Sequence, residues 1–552
     1  MPTRREPGPA PDNPRGARLR MACMNKPSMK PSKRSRGATA LAAVAGVAAA
    51  AVVLSVAELI GAFFTTRATP LIALGSTFID FTPLWMKNFA VETFGTNDKA
   101  ALFVGMAVTI LLLACVLGIV AYRKWALGVA GVVLMGAVIV GSVVTRASVK
   151  PIDAIPSLIG TVAGLVVLRL LITRLWRMQE WPDRAADVAA KEPERPATTR
   201  RGFFAAAGIT AAASAVAATG GRLLSAARSN VAAARESLQL PAPAKAAAAV
   251  PAGVQSKAPG VTPWLTPNKD FYRIDTALSV PEINVQDWEL RIHGLVEQEV
   301  RLTFQDLLDA QLIESHVSLT CVSNPVGGNL AGNAKWLGMP IRDALKLARP
   351  TQGADMVLST SADGFSASTP LEVLQDDRDA MLAIGMNGEA LPLEHGYPVR
   401  MVVPGLYGFV SATKWVVDLE VTRFADSKAY WTQRGWSERG PIKTMARVEV
   451  PKSFAKVPAG KIAIGGTAWA QTRGITKVEV QIDSGPWTEA VLSDEASLIT
   501  WRQWSLDWDA TPGPHYIKVR ATDGKGEVQT DKRADPVPDG ASGWQSVMVT
   551  VE

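Results

Sequence analysis

The chain has 552 residues, 48% of them hydrophobic, and a formal charge of +8, which is too long for a single small module and fits several domains. Its three cysteines (Cys23, Cys115, Cys321) and four histidines (His293, His316, His395, His515) exclude a disulfide framework, a cysteine-ligated iron–sulfur cluster and a multi-cysteine zinc site.

Residues 1–37 form a basic tail with ten Lys/Arg against Glu6 and Asp12, so this segment alone accounts for the net charge. A basic tail ahead of an apolar run orients a membrane protein, and no nucleic-acid partner is expected. Four apolar runs follow, at 38–64, 100–121, 125–145 and 152–173, within a four-helix membrane domain over 38–176. Each is long enough to cross a hydrocarbon core of about 30 Å, so membrane lipid is an expected partner. The cations cluster on alternate sides of an even set of spans. That pattern predicts a cytoplasmic N-terminus and a cytoplasmic loop over 177–201.

Loop 65–99 holds Phe78, Phe81, Trp85 and Phe89, which fit an amphipathic segment along the outer interface. Every histidine lies after residue 290, so no haem held between spans is expected. Glu58, an acid inside a span, reads as a packing or hydrogen-bonding contact to a neighbouring helix. A fifth span, 202–224, is rich in Ala and Gly. The preceding Thr199-Arg200-Arg201-Gly202-Phe203-Phe204 resembles a twin-arginine export signal, which carries domains across the membrane already folded.

Residues 225–262 are mostly Ala, Pro, Ser and Lys without an aromatic residue, and read as a linker that packs on nothing. From 263 to 442 strand-like alternations (288–292, 399–403) are interspersed with helix-like segments (303–310, 340–348), the pattern of an α+β domain. Residues 443–552 read as short strands at 461–470, 475–483, 500–508, 515–522 and 544–551. Their spacing predicts an immunoglobulin-like β-sandwich, with Trp469, Trp487, Trp501, Trp504 and Trp508 supplying its core.

Cys321 is the only thiol of the C-terminal half and opens a Gly/Asn-rich loop after an apolar run. It is either a buried small hydrophobe or a thiolate ligand or nucleophile, and spacing leaves both open. A second constellation runs His395-Gly396-Tyr397-Pro398-Val399-Arg400, then Val402-Val403-Pro404-Gly405 and Thr413-Lys414-Trp415; a third is Asn268-Lys269-Asp270-Phe271-Tyr272-Arg273. Together these cations around Gly-rich turns point to an anionic, phosphate-bearing cofactor.

At these residues the sequence resembles the sulfite oxidase family of molybdopterin enzymes, over about 264–552. The resemblance implies that Cys321, in Leu319-Thr320-Cys321-x-x-Asn324, is the catalytic residue and ligates molybdenum. It implies that His395, Arg400, Thr413 and Lys414 hold the pterin and its phosphate, joined by Asn268, Tyr272, Arg273 and, more weakly, Thr360. It further implies molybdenum-molybdopterin as cofactor, with no haem, no iron–sulfur cluster and no NAD expected, and a C-terminal sandwich of the kind that dimerises in relatives, so that a homodimer is allowed. The sequence departs from sulfite-oxidising relatives after Asn324, where Pro325 and Val326 replace the expected arginine; Lys335 is a candidate substitute.

The function expected is a membrane-anchored, extracytoplasmic molybdenum oxidoreductase acting on a small substrate, by sulfite-like oxidation or S-/N-oxide reduction. Its electrons would pass through a separate quinone, cytochrome or haem subunit. The alternative is an exported binding or assembly protein that keeps the fold without activity.

Overall fold

The structure is a computed structural model that describes residues 36–63, 98–145, 151–185, 200–228 and 231–552, with scattered positions between 73 and 93. Most of the basic tail and of the 65–99 loop, and the Thr199 end of the twin-arginine motif, lie outside the described residues. The N-terminal helices are α1 (Arg36–Gly61), α2 (Asp98–Arg123), α3 (Trp125–Val144), α4 (Ile155–Ala185) and α5 (Arg200–Arg228). All five contain stretches long and apolar enough to cross a membrane. Helix α1 is central and packs against α2, α4 and α5.

Small residues make that packing close. A Cβ added to Gly46 would lie 2.0 Å from the Ala114 carbonyl oxygen, and one on Gly118 would lie 2.2 Å from that of Ala42. Large side chains such as Leu112, Val162 and Leu170 are turned outward. Helix α4 continues past the apolar run because Arg174 and Arg177 are good helix formers. For the same reason Arg200 and Arg201 begin α5 rather than precede it.

The segment read as a free linker is one only in name from residue 231 onward. A short helix α6 (Val231–Ser237) docks through Arg235, whose guanidinium donates to the carbonyls of Leu391 (2.7 Å) and Ala390 (2.8 Å) and pairs with Glu389. The chain then bonds Ala244 N to Leu312 O (2.8 Å), and Lys245 bridges to Asp379. Further on, Ser256 N donates to Gln503 and its hydroxyl to the Trp504 carbonyl (2.9 Å). Ala258 and Val261 crowd Gly465. Lacking aromatics, this strap relies on backbone groups and small side chains that fit into grooves of two larger units.

The first of these units has two sheets. One takes the order β2-β1-β10-β5-β6, from β1 (Glu289–Gly294), β2 (Val300–Thr303), β5 (Met356–Ser361), β6 (Ser366–Pro370) and β10 (Val416–Thr422). The other is built from β3 (Ile313–Thr320), β4 (Ala331–Pro340), β7 (Met381–Met386) and β8 (Glu389–Ala390), with β9 (Arg400–Val402) paired to β7. Helices α7 (Phe304–Leu308), α8 (Ile341–Ala348) and α9 (Leu371–Gln375) flank them. Burial of Leu290, Ile292, Leu345, Leu382, Val403 and Leu419 forms the core. This is the α+β arrangement expected.

The second unit is β-rich. One sheet has the order β11-β13-β17-β16, from β11 (Met445–Val450), β13 (Gly460–Trp469), β16 (Val491–Leu492) and β17 (Arg502–Ala510). The other has the order β12-β19-β18-β14-β15, from β12 (Lys456–Val457), β14 (Ile475–Ile482), β15 (Trp487–Glu489), β18 (Gly513–Asp523) and β19 (Gln545–Val551). Both contribute to one core around Ile464, Val478, Trp504, Ile517 and Val549. The tryptophans correct the expectation. Only Trp504 lies at the centre of this core; Trp508 packs at its margin, and Trp469 and Trp501 are buried in the core of the first unit. Trp487 instead meets Trp544 at 4.9 Å with Arg520 above it.

Candidate active site

The strands β3 and β4 pair in antiparallel register up to Thr320 and Ala331, and residues 321–330 form the loop between them. Cys321 N donates to the Leu330 carbonyl (2.9 Å), and Asn324 Oδ1 accepts from Leu330 N (2.9 Å), so Asn324 braces the loop from inside. The second unit closes on the same loop. Arg447 donates to the Gly328 carbonyl (2.9 Å) while paired with Glu449, and Gln471 donates to the Ser318 carbonyl (3.2 Å). Cys321 is thus presented at a strand end, half-buried, with its Sγ 2.9 Å from the Ser323 hydroxyl. Burial pushes its thiol pKa up. A thiolate there is disfavoured without a positive partner, which suits a ligand to a soft metal better than a free nucleophile.

His395 ends a 3-10 turn (Leu393–His395) and is followed by Gly396 at φ +113°, a conformation open to glycine. A Cβ at Gly396 would lie 2.9 Å from Arg400 Cβ and 3.2 Å from Lys414 Cβ, so this turn brings both cations against its own backbone. The His395 ring is buried, and burial together with Arg400 lowers its pKa to about 4. It is therefore neutral at pH 7. Its Nε2 donates to the Asn268 carbonyl (3.0 Å), leaving Nδ1 as an acceptor.

Arg400 is buried over the Trp336 ring (5.0 Å) and donates only to carbonyls, those of His395 (3.1 Å) and Met401 (3.3 Å). Among the described residues no carboxylate pairs with it, and burial lowers its pKa to about 10. Lys414 is also buried. Its Nζ bonds Asp275 Oδ2 (2.8 Å) and the Glu394 carbonyl (3.0 Å), and burial lowers its pKa to about 8 despite the carboxylate.

Tyr272 stacks on Phe271, whose ring meets those of His395 and Trp336 edge-on. Burial raises the Tyr272 pKa, with Cys321 adding to the rise and Arg400 opposing it, which puts the phenol within electrostatic reach of both. Arg273 pairs with Asp275 (2.9 Å). The Thr413 hydroxyl, fully buried, lies 2.7 Å from that of Ser359.

The sequence-expected residues therefore divide. Cys321, Tyr272, His395, Arg400 and Lys414 share one electrostatic neighbourhood, with Arg273 joined through Asp275. Asn268 approaches it through its backbone carbonyl, because its amide side chain is engaged by Glu389 and Asn387. Thr360 is not brought in: strand alternation turns it from the face on which Ser359 reaches Thr413. Lys335 is likewise corrected as a substitute cation, since it lies on β4 opposite His316 and pairs with Glu314 at 2.7 Å. Sequence reading missed Asp275, Ser359, Ser323 and Arg447. Of these, Asp275 lies close in the chain to a residue already singled out, Arg273, but a carboxylate beside an arginine is ordinary in sequence.

A phosphate-bearing metal-pterin fits this donor set. A buried guanidinium with no carboxylate calls for an anion, and a neutral imidazole offers an acceptor. Among the described residues no group of three or more His, Cys, Asp or Glu could hold a metal, so a metal at Cys321 would take its other ligands from the cofactor.

Residues 277–431 match the family model described as the oxidoreductase molybdopterin binding domain. Sulfite oxidase of Gallus gallus is 28% identical over 49% of this chain and 69% of its own length. Mitochondrial sulfite oxidase of Homo sapiens is 26% identical over 49% of this chain, which spans only 58% of that relative. Among solved structures, the sulfane dehydrogenase SoxCD from Paracoccus pantotrophus is 26% identical, with a TM-score of 0.46 over 52% of this chain and 83% of its own. With the family-model match over 277–431 and the likeness to sulfite oxidases, the chain carries an oxidoreductase molybdopterin-binding domain similar to that of the sulfite oxidase family.

Proposed function

We propose that the chain is a membrane-anchored molybdenum oxidoreductase whose catalytic units lie outside the cytoplasmic membrane and perform two-electron oxo transfer on a small substrate. The observation that carries this reading is Arg400, a buried cation without a carboxylate, gathered with Lys414, His395 and Tyr272 beside the Cys321 loop. When bound, molybdenum-molybdopterin supplies the redox and oxo-transfer chemistry. Cys321 would hold the metal as a thiolate. Arg400 and Lys414 offset phosphate charge in a desolvated pocket, where each ionic contact is stronger than in water. His395 would accept a hydrogen bond at Nδ1, and Thr413, whose hydroxyl is fixed by Ser359, accepts at its carbonyl from Met401 N (2.9 Å) just before Lys414. None of these residues needs to move a proton.

Membrane anchoring rests on the five apolar helices and the alternation of basic loops, and export on the paired arginines at the start of α5. The C-terminal unit is read as an immunoglobulin-like sandwich of the dimerising type. Electrons leave or enter through a quinone, a cytochrome or a haem subunit. The cations closest in the chain to the cysteine loop or braced against it are engaged, Lys335 by Glu314 and Arg447 by Glu449. This favours a weakly charged S- or N-oxide over sulfite.

Metal and pterin analysis of the detergent-purified full-length protein tests the reading. Near-stoichiometric molybdenum, lost in Cys321→Ser, is expected; a wild-type protein free of molybdenum would overturn it in favour of a binding or assembly role. Turnover of sulfoxides or N-oxides ahead of sulfite is the expected order, and the reverse order would refute the substrate preference.

A further inference from the structure

Asp275 is buried to within 4% of full exclusion at its side chain, yet it lies in the opening segment of the domain beside a half-exposed arginine. Its Oδ2 accepts from two cations at once, Arg273 Nε at 2.9 Å and Lys414 Nζ at 2.8 Å. These donors come from places far apart: Lys414 lies 139 residues further along the chain, behind the Gly-rich turn that also carries His395 and Arg400. Lys414 is fixed on three sides, by this carboxylate, by the Glu394 carbonyl and by the Trp415 ring at 4.8 Å. Arg400 and Arg273 both lie near enough to oppose its charge, so three cations gather around one small volume.

A phosphate monoester carries about −1.5 to −2 charge, more than one cation can offset, so such a group needs several cations held together before it arrives. Buried like charges repel one another, and an ammonium on a four-carbon stem has no fixed direction of its own. Asp275 answers both problems. It tempers the repulsion, and it ties the Lys414 turn to the segment bearing Tyr272 and Arg273.

We infer that Asp275 is a positioning residue for the cofactor's phosphate: it aims Lys414 and Arg273 at one site. The residue touches the two cations and not the metal ligand, and its loss acts through them. The inference rests on the cofactor reading given above and deepens it.

The test compares full-length wild type, Asp275→Asn and Asp275→Glu, purified in detergent. Pterin per polypeptide is read by fluorescence of the oxidised, released pterin, and the thermal midpoint is read on protein made without cofactor. In Asp275→Asn, retained pterin falls by about tenfold or more, the range for residues that orient a ligand. Its cofactor-free midpoint stays near wild type, and Asp275→Glu recovers a substantial part of the pterin. Wild-type retention in Asp275→Asn would overturn the inference. So would a fall in pterin matched by a collapse of the cofactor-free midpoint in both variants, which marks a structural ion pair only. A wild-type protein that contains no pterin would overturn the cofactor reading itself, and this inference with it.

Discussion

Replacing Arg400 by Met separates a cation kept for a ligand from one kept for the fold. Arg400 is buried, and its pKa falls from the usual 12.5 to about 10 through desolvation. That difference corresponds to a charged form disfavoured by about 3 kcal/mol in the folded, ligand-free protein. The sign follows from linkage. A cation whose folded pKa is depressed costs stability at every pH below the folded value, so the full cost applies at pH 7. Met fills similar space without the charge and removes this cost. Against it stand two hydrogen bonds to carbonyls and a stacking contact over Trp336, worth about 1 kcal/mol each. The two sides nearly cancel, so the cofactor-free Arg400→Met protein should unfold within about 1 kcal/mol of wild type. With cofactor present the balance changes, because the buried positive charge then faces phosphate. Wild type should gain stability on loading that the variant does not, and the variant should retain little pterin. Denaturant unfolding of cofactor-free and cofactor-replete preparations measures both. If Arg400→Met lowers the cofactor-free stability by more than about 3 kcal/mol, the size of a broken buried pair, the guanidinium is a structural element and the reasoning fails.

Four further outcomes follow from particular contacts. Gly396→Ala forces a side chain onto φ +113° and against Arg400 and Lys414, so pterin content should fall more steeply than the cofactor-free midpoint, by the same two assays. Arg235→Ala removes two hydrogen bonds to carbonyls and an ion pair, and should free the strap for cleavage between residues 231 and 245 at least about tenfold faster in limited proteolysis, as the loss of about 2 kcal/mol implies. Trp501→Ala empties a buried site and removes one of the two donors to the Trp264 carbonyl, Asn333 supplying the other, for a loss of about 3–5 kcal/mol in denaturant unfolding. His515 bonds Asp483, which raises its pKa above 6.5. The folded state therefore holds this proton more tightly than the unfolded chain. The stabilisation is complete below 6.5 and is lost as pH rises through the folded value, and His515→Gln should flatten the fall in stability as pH rises above 6.5.

The long apolar helices were legible because length and composition alone mark them; the ends of α1 and α2 shifted by two or three residues, and the larger extensions come where arginines continue a helix (α4, α5). The place of the cysteine loop was legible, since a lone thiol opens a Gly- and Asn-rich loop after an apolar run, but spacing left a buried hydrophobe and a metal ligand both open, and only the resemblance pointed to the ligand. The strap was not. Its Ala- and Pro-rich composition says that it cannot form a core, but it does not say that preformed grooves elsewhere can accept its backbone. Which tryptophans of the C-terminal unit are core and which are interface residues stayed open for a related reason. Alternation along β13 and β17 shows that Trp469 and Trp504 face inward somewhere, while only the packing of the two units decides which interior each one enters. Asp275 stayed hidden because a carboxylate beside an arginine is ordinary in sequence; the buried lysine that gives it meaning is remote in the chain.

The strap has a consequence for the order in which the molecule can be completed. Residues 231–262 emerge early in synthesis, yet Ser256 is held by Gln503 and by the carbonyl of Trp504, which are made some 250 residues later. Until then, half of its docking surface does not exist. Closure of this segment therefore reports that translation has passed residue 504 and that both β-containing units have matured, a local signature by which such a molecule differs from one cut short before that point.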